Sequence, residues 1–369
     1  MFEEVLNKYS WDSVKEEIYS SSEEDVISAL YKDYKTPEDF FALLSPAADS
    51  LLEDIAVLAG KTTRKRFGNI IQLYAPLYIS NECQNSCIYC GFNRANEIKR
   101  ITLTPEMVEK ESDILYRMGF RHLLLLTGED RNAISPKNLA EIANTIHHKF
   151  ASVSIEVYPM DYDEYKAMEE AGVDGLALYQ ETYNRIQYDN VHPAGKKKDF
   201  IWRLHGPERG GDAGFRKIGI GSLLGLTDWR LDGFFCALHA YYLTKKYWTS
   251  TIQVSFPRLR KAHGGYIPPY TVSDRDLTHL ICAMRIMLPD AGLLLSTRES
   301  SNFRDNVMPL GITMMSAGSR TEPGGYSTPE CNAQQFTIDD DRTPEQIAGK
   351  IIQNGFDPVW KDWDRVFLT

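Results

Sequence analysis

Long apolar runs are missing from this sequence of 369 residues. No segment approaches the roughly 18–20 consecutive apolar residues that a membrane-spanning helix needs, so we expect no membrane partner. The first residues, Met1-Phe2-Glu3-Glu4, are acidic and lack the basic region and the apolar stretch of a secretory signal. We therefore expect a cytoplasmic protein.

An excess of basic residues is also missing, because 41 Lys and Arg stand against 51 Asp and Glu, a formal net charge of −10. Such a chain is a poor match for a phosphate backbone, so we expect no nucleic-acid partner. The first 60 residues hold 14 Asp and Glu against 4 Lys and Arg, whereas the remainder has 37 of each sign. This asymmetry indicates a solvated N-terminal layer; a docking surface for a basic partner is the alternative.

Cysteine is scarce, with six residues in the chain, and a cytoplasmic protein of this size does not need a disulfide framework. Three of the six lie within eight residues, at Cys83, Cys87 and Cys90, and this clustering indicates a metal. The others are far apart and are interpreted as buried or inert thiols: Cys236, Cys282 and Cys331.

Apolar patterning divides the chain into a helical start and an alternating remainder. Residues 1–65 carry helix-start signals such as Ser21-Ser22-Glu23-Glu24 and no strand signal. From about residue 70, eight short apolar runs alternate with longer amphipathic segments, which is typical of buried parallel strands joined by helices. The predicted strands are Ile70–Ile79, His122–Thr127, Ser154–Tyr158, Gly175–Tyr179, Lys217–Gly221, Ile252–Phe256, Leu293–Thr297 and Ile312–Ala317.

Eight such units predict an α/β fold of the (β/α)₈ TIM-barrel type, with a doubly wound open sheet as the alternative. We predict three segments: an N-terminal helical segment over residues 1–65, the barrel over residues 66–320, and a C-terminal extension over residues 321–369. The extension carries Trp360, Trp363 and Phe367, which favours packing on the barrel over fraying.

The clustered cysteines follow the first predicted strand with the spacing Cys-x-x-x-Cys-x-x-Cys. A compact loop of this spacing can turn three thiolates onto one cubane cluster and leave its fourth iron open. An open iron can coordinate a substrate, much as a catalytic zinc keeps an exchangeable position. A structural zinc site and a plain electron-carrying cluster are the alternatives, and each needs a fourth ligand that is not evident nearby.

The spacing, with Tyr89 directly before the last cysteine, resembles the signature of the radical S-adenosylmethionine (SAM) superfamily. The resemblance implies a [4Fe–4S] cluster on Cys83, Cys87 and Cys90, with S-adenosyl-L-methionine bound at the open iron. It also implies that Tyr89 contributes to the site of S-adenosylmethionine.

Three further segments, each after a predicted strand, resemble the superfamily's cofactor-binding motifs. After the second predicted strand, Gly128 and Glu129 match a Gly-Gly-Glu motif that holds the methionine amino group, although a threonine replaces the first glycine. Glu181, after the fourth strand, takes the position of an acidic residue in the related biotin synthases, and a carboxylate there suits a ribose hydroxyl. Leu223 and Gly225 lie in a segment that resembles the one near the adenine, with tight barrel packing as the alternative.

Arginines follow three of the last predicted strands, at Arg258, Arg298 and Arg320. The guanidinium fork suits a carboxylate, and three arginines at one barrel mouth favour an anionic substrate. Ser296 shares its strand face with Arg298, so we assign these two as the catalytic-site residues that hold a substrate carboxylate. Scaffold ion pairs with nearby glutamates are the alternative for Arg258 and Arg320.

From about residue 65 onward the chain resembles the 2-iminoacetate synthases, the tyrosine lyases of thiamine thiazole biosynthesis. The matching stretches include Tyr78–Phe92, Tyr179–Tyr183, Lys217–Trp229 and Ser316–Tyr326. The resemblance implies cleavage of the Cα–Cβ bond of L-tyrosine to 2-iminoacetate and 4-cresol, while S-adenosylmethionine yields methionine and 5′-deoxyadenosine. It further implies reduced flavodoxin or ferredoxin as electron donor and a complex with thiazole synthase.

Related radical lyases are the alternatives: the tyrosine lyase that matures [FeFe]-hydrogenase, tryptophan lyases and deazaflavin-cofactor synthases. The hydrogenase-maturing lyase adds a C-terminal extension with cysteines for a second cluster. Here the last cysteine is Cys331 and the sequence stops at Thr369, which favours the thiamine enzyme. The substrate is implied by the family resemblance alone.

Overall fold

Five helices open the chain in the computed structural model, which describes residues 1–329, 333–362 and 364. They are α1 (Phe2–Leu6), α2 (Trp11–Ser20), α3 (Glu23–Tyr31), α4 (Asp39–Leu44) and α5 (Leu52–Phe67), with a 3₁₀ turn at Pro46–Asp49. Ser10 and Ser22 cap α2 and α3 through their hydroxyl groups, which fixes where these helices begin. A helix start is also predicted at Thr36-Pro37, but α4 begins at Asp39, whose carboxylate accepts from the Thr36 N–H.

Eight parallel strands follow and close into a barrel. They are β1 (Ile70–Ser80), β2 (His122–Thr127), β3 (Ser152–Glu156), β4 (Gly175–Ala177), β5 (Lys217–Gly221), β6 (Thr251–Ser255), β7 (Gly292–Leu295) and β8 (Met314–Ser316). Each strand pairs with the next, and β1 pairs with both β2 and β8, so the eight form a closed ring. The predicted (β/α)₈ barrel is confirmed and the open doubly wound sheet is wrong.

The strands lie close to the predicted apolar runs, but the hydrogen-bonded pairing of β3 and β4 ends before the predicted runs do. Tyr158 and Tyr179 end two predicted strands and instead lie in the loops after β3 and β4. Parallel pairing ends where the chain turns away at the carboxyl end of each strand, although the sequence there stays apolar. β5 is buried at every position, as expected for a parallel strand covered on both faces.

Ten further helices accompany the strands: α6 (Pro105–Arg117), α7 (Pro136–Ile146), α8 (Tyr162–Glu170), α9 (Arg185–Val191), α10 (Phe200–Leu204), α11 (Gly206–Asp212), α12 (Trp229–Lys246), α13 (Asp274–Met287), α14 (Ser301–Gly311) and α15 (Pro344–Gln353). The sequence has helix-start signals at Thr104-Pro105, Ser135-Pro136 and Ser273-Asp274, and the hydroxyl groups of Thr104, Ser135 and Ser273 cap α6, α7 and α13. Two short 3₁₀ helices, His147–Lys149 and Lys196–Lys198, complete the helical segments.

The N-terminal layer packs on the outer helices of the barrel. The Phe41 ring of α4 stacks on Phe234 of α12 with 4.6 Å between centroids. Arg230 of α12 donates to the carbonyl of Leu44 at 2.6 Å. The N-terminal helices also pack on α13 and α14, so they cover the side of the barrel that α12, α13 and α14 form.

A ninth strand, β9 (Asp357–Val359), pairs in parallel with the first residues of β1. Beyond it, Trp360 packs against Phe120 with ring centroids 5.3 Å apart, and Asp362 lies 2.8 Å from His122 of β2. The described tail therefore covers the amino end of the barrel; Trp363 and Phe367 lie outside the described residues. The division into three segments stays a prediction. Within the described residues, no helix is both long and apolar enough to span a membrane.

Candidate active site

A cavity of about 910 Å³, counted with the solvent at its mouth, lies at the carboxyl ends of the strands. Loops that follow parallel barrel strands converge at this end, so side chains far apart in sequence meet there. The walls include Cys83, Cys87 and Cys90 from the loop after β1, Glu129 from the loop after β2, and Arg298 from the loop after β7. The predicted metal, cofactor and substrate residues therefore contribute to one cavity.

The cysteine loop, defined as residues 81–100, is fixed by a single guanidinium group. Arg100 donates to the carbonyls of Asn81 at 2.6 Å, Phe92 at 3.0 Å and Asn93 at 2.7 Å. Gly128 contacts the loop from β2, since a Cβ atom there would lie 2.2 Å from the carbonyl oxygen of Glu82. The loop is therefore held in place before any ligand is considered.

The three cysteine thiols of the loop are free and line the same cavity. Burial raises the pKa of each thiol, that of Cys83 to about 11, while Lys197 opposes the shift at Cys87 and Cys90. Iron binding at such thiols releases their protons. The Gln335 amide lies 3.9 Å from the Cys90 sulfur.

The donor set fits an iron–sulfur cluster. Within the described residues, no three His, Cys, Asp or Glu side chains are arranged to hold a metal ion. In a cubane each thiolate binds a different iron, so the three sulfur atoms do not need to converge on one point. Cys236 and Cys282 are buried elsewhere, and Cys331 lies outside the described residues.

Two glutamates and two cations form a buried network beside the cysteines. Arg203 Nη1 lies 2.8 Å from Glu129 Oε1, and its Nη2 lies 3.8 Å from Glu181 Oε1. Lys197 Nζ lies 2.6 Å from the same Glu181 oxygen. Asn85 of the cysteine loop donates to Glu129 Oε2 at 2.8 Å and accepts from the Lys197 N–H at 3.0 Å. The network joins the loops after β1, β2 and β4.

The cations of this network keep both carboxylates ionised. Burial alone would raise the pKa of Glu129 and of Glu181, but Arg203 and Lys197 hold both below the ordinary value. Burial would lower the pKa of both cations, and Arg203 adds to this effect at Lys197, whereas the glutamates raise the pKa of both. Ionised carboxylates at these positions are suited to accept hydrogen bonds from an ammonium group and from ribose hydroxyls.

Glu181 occupies a strained backbone conformation with φ of 71°. A non-glycine residue in this left-handed region costs on the order of 1 kcal/mol and requires support from its surroundings. Its carbonyl accepts from the Leu223 N–H at 2.7 Å. The following residues are fixed by Asp232, whose carboxylate accepts from the Tyr183 N–H at 2.8 Å and the Thr182 hydroxyl at 3.0 Å. These hydrogen bonds hold Glu181, which lines the cavity, in its strained conformation.

Tyr89 and Leu223 both line this cavity, whereas Gly225 does not. The Tyr89 hydroxyl lies 2.8 Å from His192 Nε2, and the other ring nitrogen of His192 lies 2.8 Å from the carbonyl of Tyr188. Gly225, at φ of 112°, packs against the loop that carries Leu259.

A second cavity of about 630 Å³ continues inward from the first and shares part of its wall. Aromatic and hydroxyl groups from the barrel strands and the loops that follow them dominate its lining: Tyr74, Tyr78, Tyr179, Ser255, Phe256, Ser296, Ser316, Ser319 and Thr321. Arg298 lines both cavities, and Ser296 lines the inner one. The predicted substrate residues therefore lie one step deeper than the predicted cofactor residues.

Arg298 is distinguished from its neighbours by its lack of an ionic partner among the described residues. Its guanidinium lies over the Phe336 ring, 3.4 Å from the centroid. Arg258, in contrast, pairs with the buried Glu299 and with Asp274. The scaffold interpretation is therefore the right one for Arg258, while Arg298 is available to a ligand.

Several cavity residues have no role in the sequence interpretation. Lys197 and Arg203 lie 16 and 22 residues beyond Glu181 in a connecting segment, where strand periodicity gives no signal. His192, which contacts the cavity residue Tyr89, lies in the same connection. Glu156 does carry a signal, because it is a charged residue at the last position of the apolar strand β3.

Comparison with known proteins agrees with this geometry. Residues 77–235 match the radical SAM superfamily, and residues 255–357 match the biotin and thiamin synthesis associated domain. The chain is 44% identical over 364 residues to 2-iminoacetate synthase of Escherichia coli strain K12, covering 98% of this chain and 97% of that protein. The chain belongs to the 2-iminoacetate synthase family. The enzyme of Salmonella typhimurium strain LT2 is 43% identical over the same length.

Solved structures place the 2-iminoacetate synthase family close to the hydrogenase maturases. A crystal structure of HydG, a maturase of the [FeFe]-hydrogenase, matches with a TM-score of 0.90 at 31% identity, over 97% of this chain and 83% of that one. HydG from Carboxydothermus hydrogenoformans gives a TM-score of 0.86 at 34% identity, over 97% and 82%. Enzymes of the radical SAM superfamily use a [4Fe–4S] cluster and S-adenosylmethionine, so both predicted cofactors are confirmed for the family; the residues that bind them stay predictions.

Proposed function

We propose that this protein cleaves the Cα–Cβ bond of L-tyrosine to 2-iminoacetate and 4-cresol for thiamine thiazole biosynthesis. The observation that carries the proposal is identity of 44% to a 2-iminoacetate synthase along nearly the whole chain. The hydrogenase maturases are less identical, and the chain covers 82–83% of their length. The inner cavity supports the proposal, since aromatic and hydroxyl groups surround a free arginine.

Three cysteines and two glutamates are proposed to hold the cofactors. Cys83, Cys87 and Cys90 would bind three irons of the cluster, and Glu129 and Glu181 would receive the ammonium group and ribose hydroxyls of S-adenosylmethionine. When bound, these cofactors supply a 5′-deoxyadenosyl radical, with methionine and 5′-deoxyadenosine as the products. Gly128, Tyr89 and Leu223 are proposed to shape this site, and Gly225 to hold the segment that carries Leu223.

The substrate is proposed to occupy the inner cavity with its carboxylate on Arg298 and Ser296. The delocalised guanidinium of Arg298 is planar, and its N–H groups, which pair with no carboxylate among the described residues, present a fork to a substrate carboxylate. Gln335 and Phe336 cover this part of the mouth, and Gln335 accepts from the Tyr78 hydroxyl at 2.7 Å. These side chains would exclude water, which hydrolyses an imine product.

Two protein partners complete the proposal. Because 2-iminoacetate hydrolyses in water, we propose direct transfer to thiazole synthase in a complex. Reduced flavodoxin or ferredoxin is proposed to donate the electron beside Cys83, which lines the first cavity and also a shallow depression on the outer surface. Exposed Arg94 and Lys196 flank this depression and are suited to an acidic donor.

Anaerobic turnover tests the proposed function. Reconstituted protein, dithionite and S-adenosylmethionine are combined with tyrosine or with tryptophan, and 4-cresol, cyanide and 5′-deoxyadenosine are measured. We expect 4-cresol from tyrosine without cyanide, and no product from a Cys87→Ala control. Cyanide release would instead favour the hydrogenase-maturing activity, and turnover of tryptophan alone would contradict the proposal.

A further inference from the structure

Glu156 is a carboxylate that the proposed function leaves without a role. It is the last residue of β3 and lines both the outer and the inner cavity. Its side chain has no hydrogen bond or ion pair with the described part of the chain. Burial raises the pKa of Glu156 to about 7, with Glu181 adding to the shift and Arg298 opposing it. An unpaired carboxylate at this depth is costly unless a ligand supplies a cation.

The other glutamates that line these cavities already have cationic partners. Glu129 lies 2.8 Å from Arg203, and Glu181 lies 2.6 Å from Lys197. Within the described residues, Glu156 is therefore the one glutamate of either cavity wall without a counter-ion. It is also the one glutamate that reaches the inner cavity.

The inner cavity thus presents one unpaired cation and one unpaired anion, Arg298 and Glu156. They share both cavity walls, yet no ion pair joins them. An α-amino acid carries a carboxylate and an ammonium group on the same carbon, so it can satisfy both residues at once. We propose that Glu156 receives the α-ammonium group of the substrate, opposite Arg298, which receives the carboxylate. This rests on the proposed function, in that the substrate is taken to be an amino acid.

The assignment gives Glu156 a direct part in specificity. An acid that lacks the amino group would leave the glutamate unpaired inside the cavity, and a site built to bind a polar group rejects analogues that lack it. Tyrosine should therefore bind more tightly than 3-(4-hydroxyphenyl)propanoate, which has the same ring and carboxylate. Glu156 should contribute most of that difference.

The test compares Glu156→Gln and Glu156→Asp with a matched control, Glu170→Gln, which neutralises an exposed glutamate on α8. Reconstituted holoenzymes are assayed for 4-cresol formation across tyrosine concentrations and for inhibition by 3-(4-hydroxyphenyl)propanoate. For Glu156→Gln we expect the tyrosine KM to rise roughly ten- to hundredfold. Inhibition by the propanoate should be unchanged or tighter, because a neutral amide costs less to bury. Glu156→Asp should recover part of the tyrosine affinity.

Three results would overturn the inference. The first is an unchanged tyrosine KM in Glu156→Gln, and the second is an equal loss of affinity for tyrosine and for the propanoate in that variant. The third is an altered electron paramagnetic resonance signal of the cluster with S-adenosylmethionine in Glu156→Gln, because such a change would place Glu156 in the cofactor site. If the variants hold no cluster, the wild-type enzyme decides, because equal affinity for tyrosine and the propanoate contradicts the assignment. Wild-type protein that forms no 4-cresol would instead refute the proposed function.

Discussion

At the scale of single residues, the arginines that pair with a carboxylate stabilise the protein scaffold, whereas an arginine without such a partner is free to bind a ligand. Arg258 and Arg260 both pair with Glu299, and Arg203 pairs with Glu129. Arg298 has only the Phe336 ring beside its guanidinium in the described chain. A guanidinium kept in a cavity without a counter-ion is a binding group for an anion.

Arg298→Ala should therefore raise the tyrosine requirement roughly ten- to hundredfold and uncouple radical formation from cresol release. The reason is that tyrosine without an arginine to bind its carboxylate is no longer held with its reacting atoms positioned for the radical. The measurement is the ratio of 5′-deoxyadenosine to 4-cresol across tyrosine concentrations. Arg320→Ala, at an exposed arginine, is the control, and unchanged tyrosine kinetics in Arg298→Ala would remove this residue from the site.

Asp232 gives a prediction about pH. Burial raises its pKa from 3.8 to about 7, against hydrogen bonds from Thr227, Tyr183 and Thr182 that lower it. The folded protein therefore holds a proton that the unfolded chain releases above pH 3.8. The stability from this proton is fully present below pH 3.8 and is lost as pH rises through about 7.

Asp232→Asn should remove that loss, because an amide keeps the oxygen acceptor without ionising. Relative to wild type, the variant should gain stability between pH 4 and 8, on the order of a few kcal/mol. Anaerobic thermal unfolding across this range measures the difference. A constant gap between the two proteins at every pH would show that Asp232 does not change its protonation on unfolding.

The site residues that the sequence predicts are those that follow a strand or fall in a dense motif. Cys83, Glu129 and Arg298 belong to this group because barrel topology brings the carboxyl ends of strands together. Lys197 and Arg203 do not, since they reach the cavity from the connection between β4 and β5. Their position depends on tertiary packing, which neither spacing nor periodicity encodes.

At the scale of elements, the loop that carries Lys197 supports the cysteine loop by close contact. Gly195, at φ of 98°, lies against Asn85, so a Cβ atom would fall 2.2 Å from the Asn85 Oδ1 atom and 2.7 Å from its Cα atom. The adjacent Lys197 N–H donates to that same Oδ1 atom at 3.0 Å. Only a glycine permits this approach, so the two loops are fixed together.

Gly195→Ala should displace the cysteine loop and lower the iron and sulfide content after reconstitution by several-fold. Positive φ and steric overlap act together here, because an alanine is strained at this backbone angle and also collides with Asn85. Gly349→Ala on α15 is the control, since no atom lies within 4 Å of its added Cβ. Equal cluster content in both variants would contradict the proposed support.

At the scale of elements, the sequence predicts the strands that coincide with a clear apolar run. It misses β9, where no such run is present, and misplaces the start of α4. All eight barrel strands follow apolar runs, because parallel strands are covered on both faces. β9 has three residues, includes Pro358 and pairs with β1 alone, so the sequence gives no strand pattern. α4 begins at Asp39, two residues after Pro37, the predicted first helical position, and the Asp39 carboxylate accepts from the Thr36 N–H.

At the scale of the whole molecule, charge is distributed unevenly around the barrel. The first 60 residues carry all of the net charge of −10, and they pack on the side formed by α12, α13 and α14. The barrel and its extension are neutral, and Arg94 and Lys196 lie beside Cys83, which lines the depression on the outer surface. An acidic electron donor would be repelled by the N-terminal layer and attracted to this depression.

Lys196→Glu should therefore slow turnover driven by a reduced acidic flavodoxin, roughly tenfold at low salt, and leave turnover with dithionite unchanged. Added salt should slow the wild-type reaction with flavodoxin and reduce the difference in rate between wild type and Lys196→Glu. The reason is that salt screens the electrostatic attraction between flavodoxin and the depression, which the mutation also weakens. Lys245→Glu, at the far end of α12, makes the same change of charge without touching the depression. Equal slowing in both variants would show a net-charge effect and would move the donor away from Cys83. Equal slowing with both reductants would show damage to the cluster, which contradicts the prediction that turnover with dithionite is unchanged.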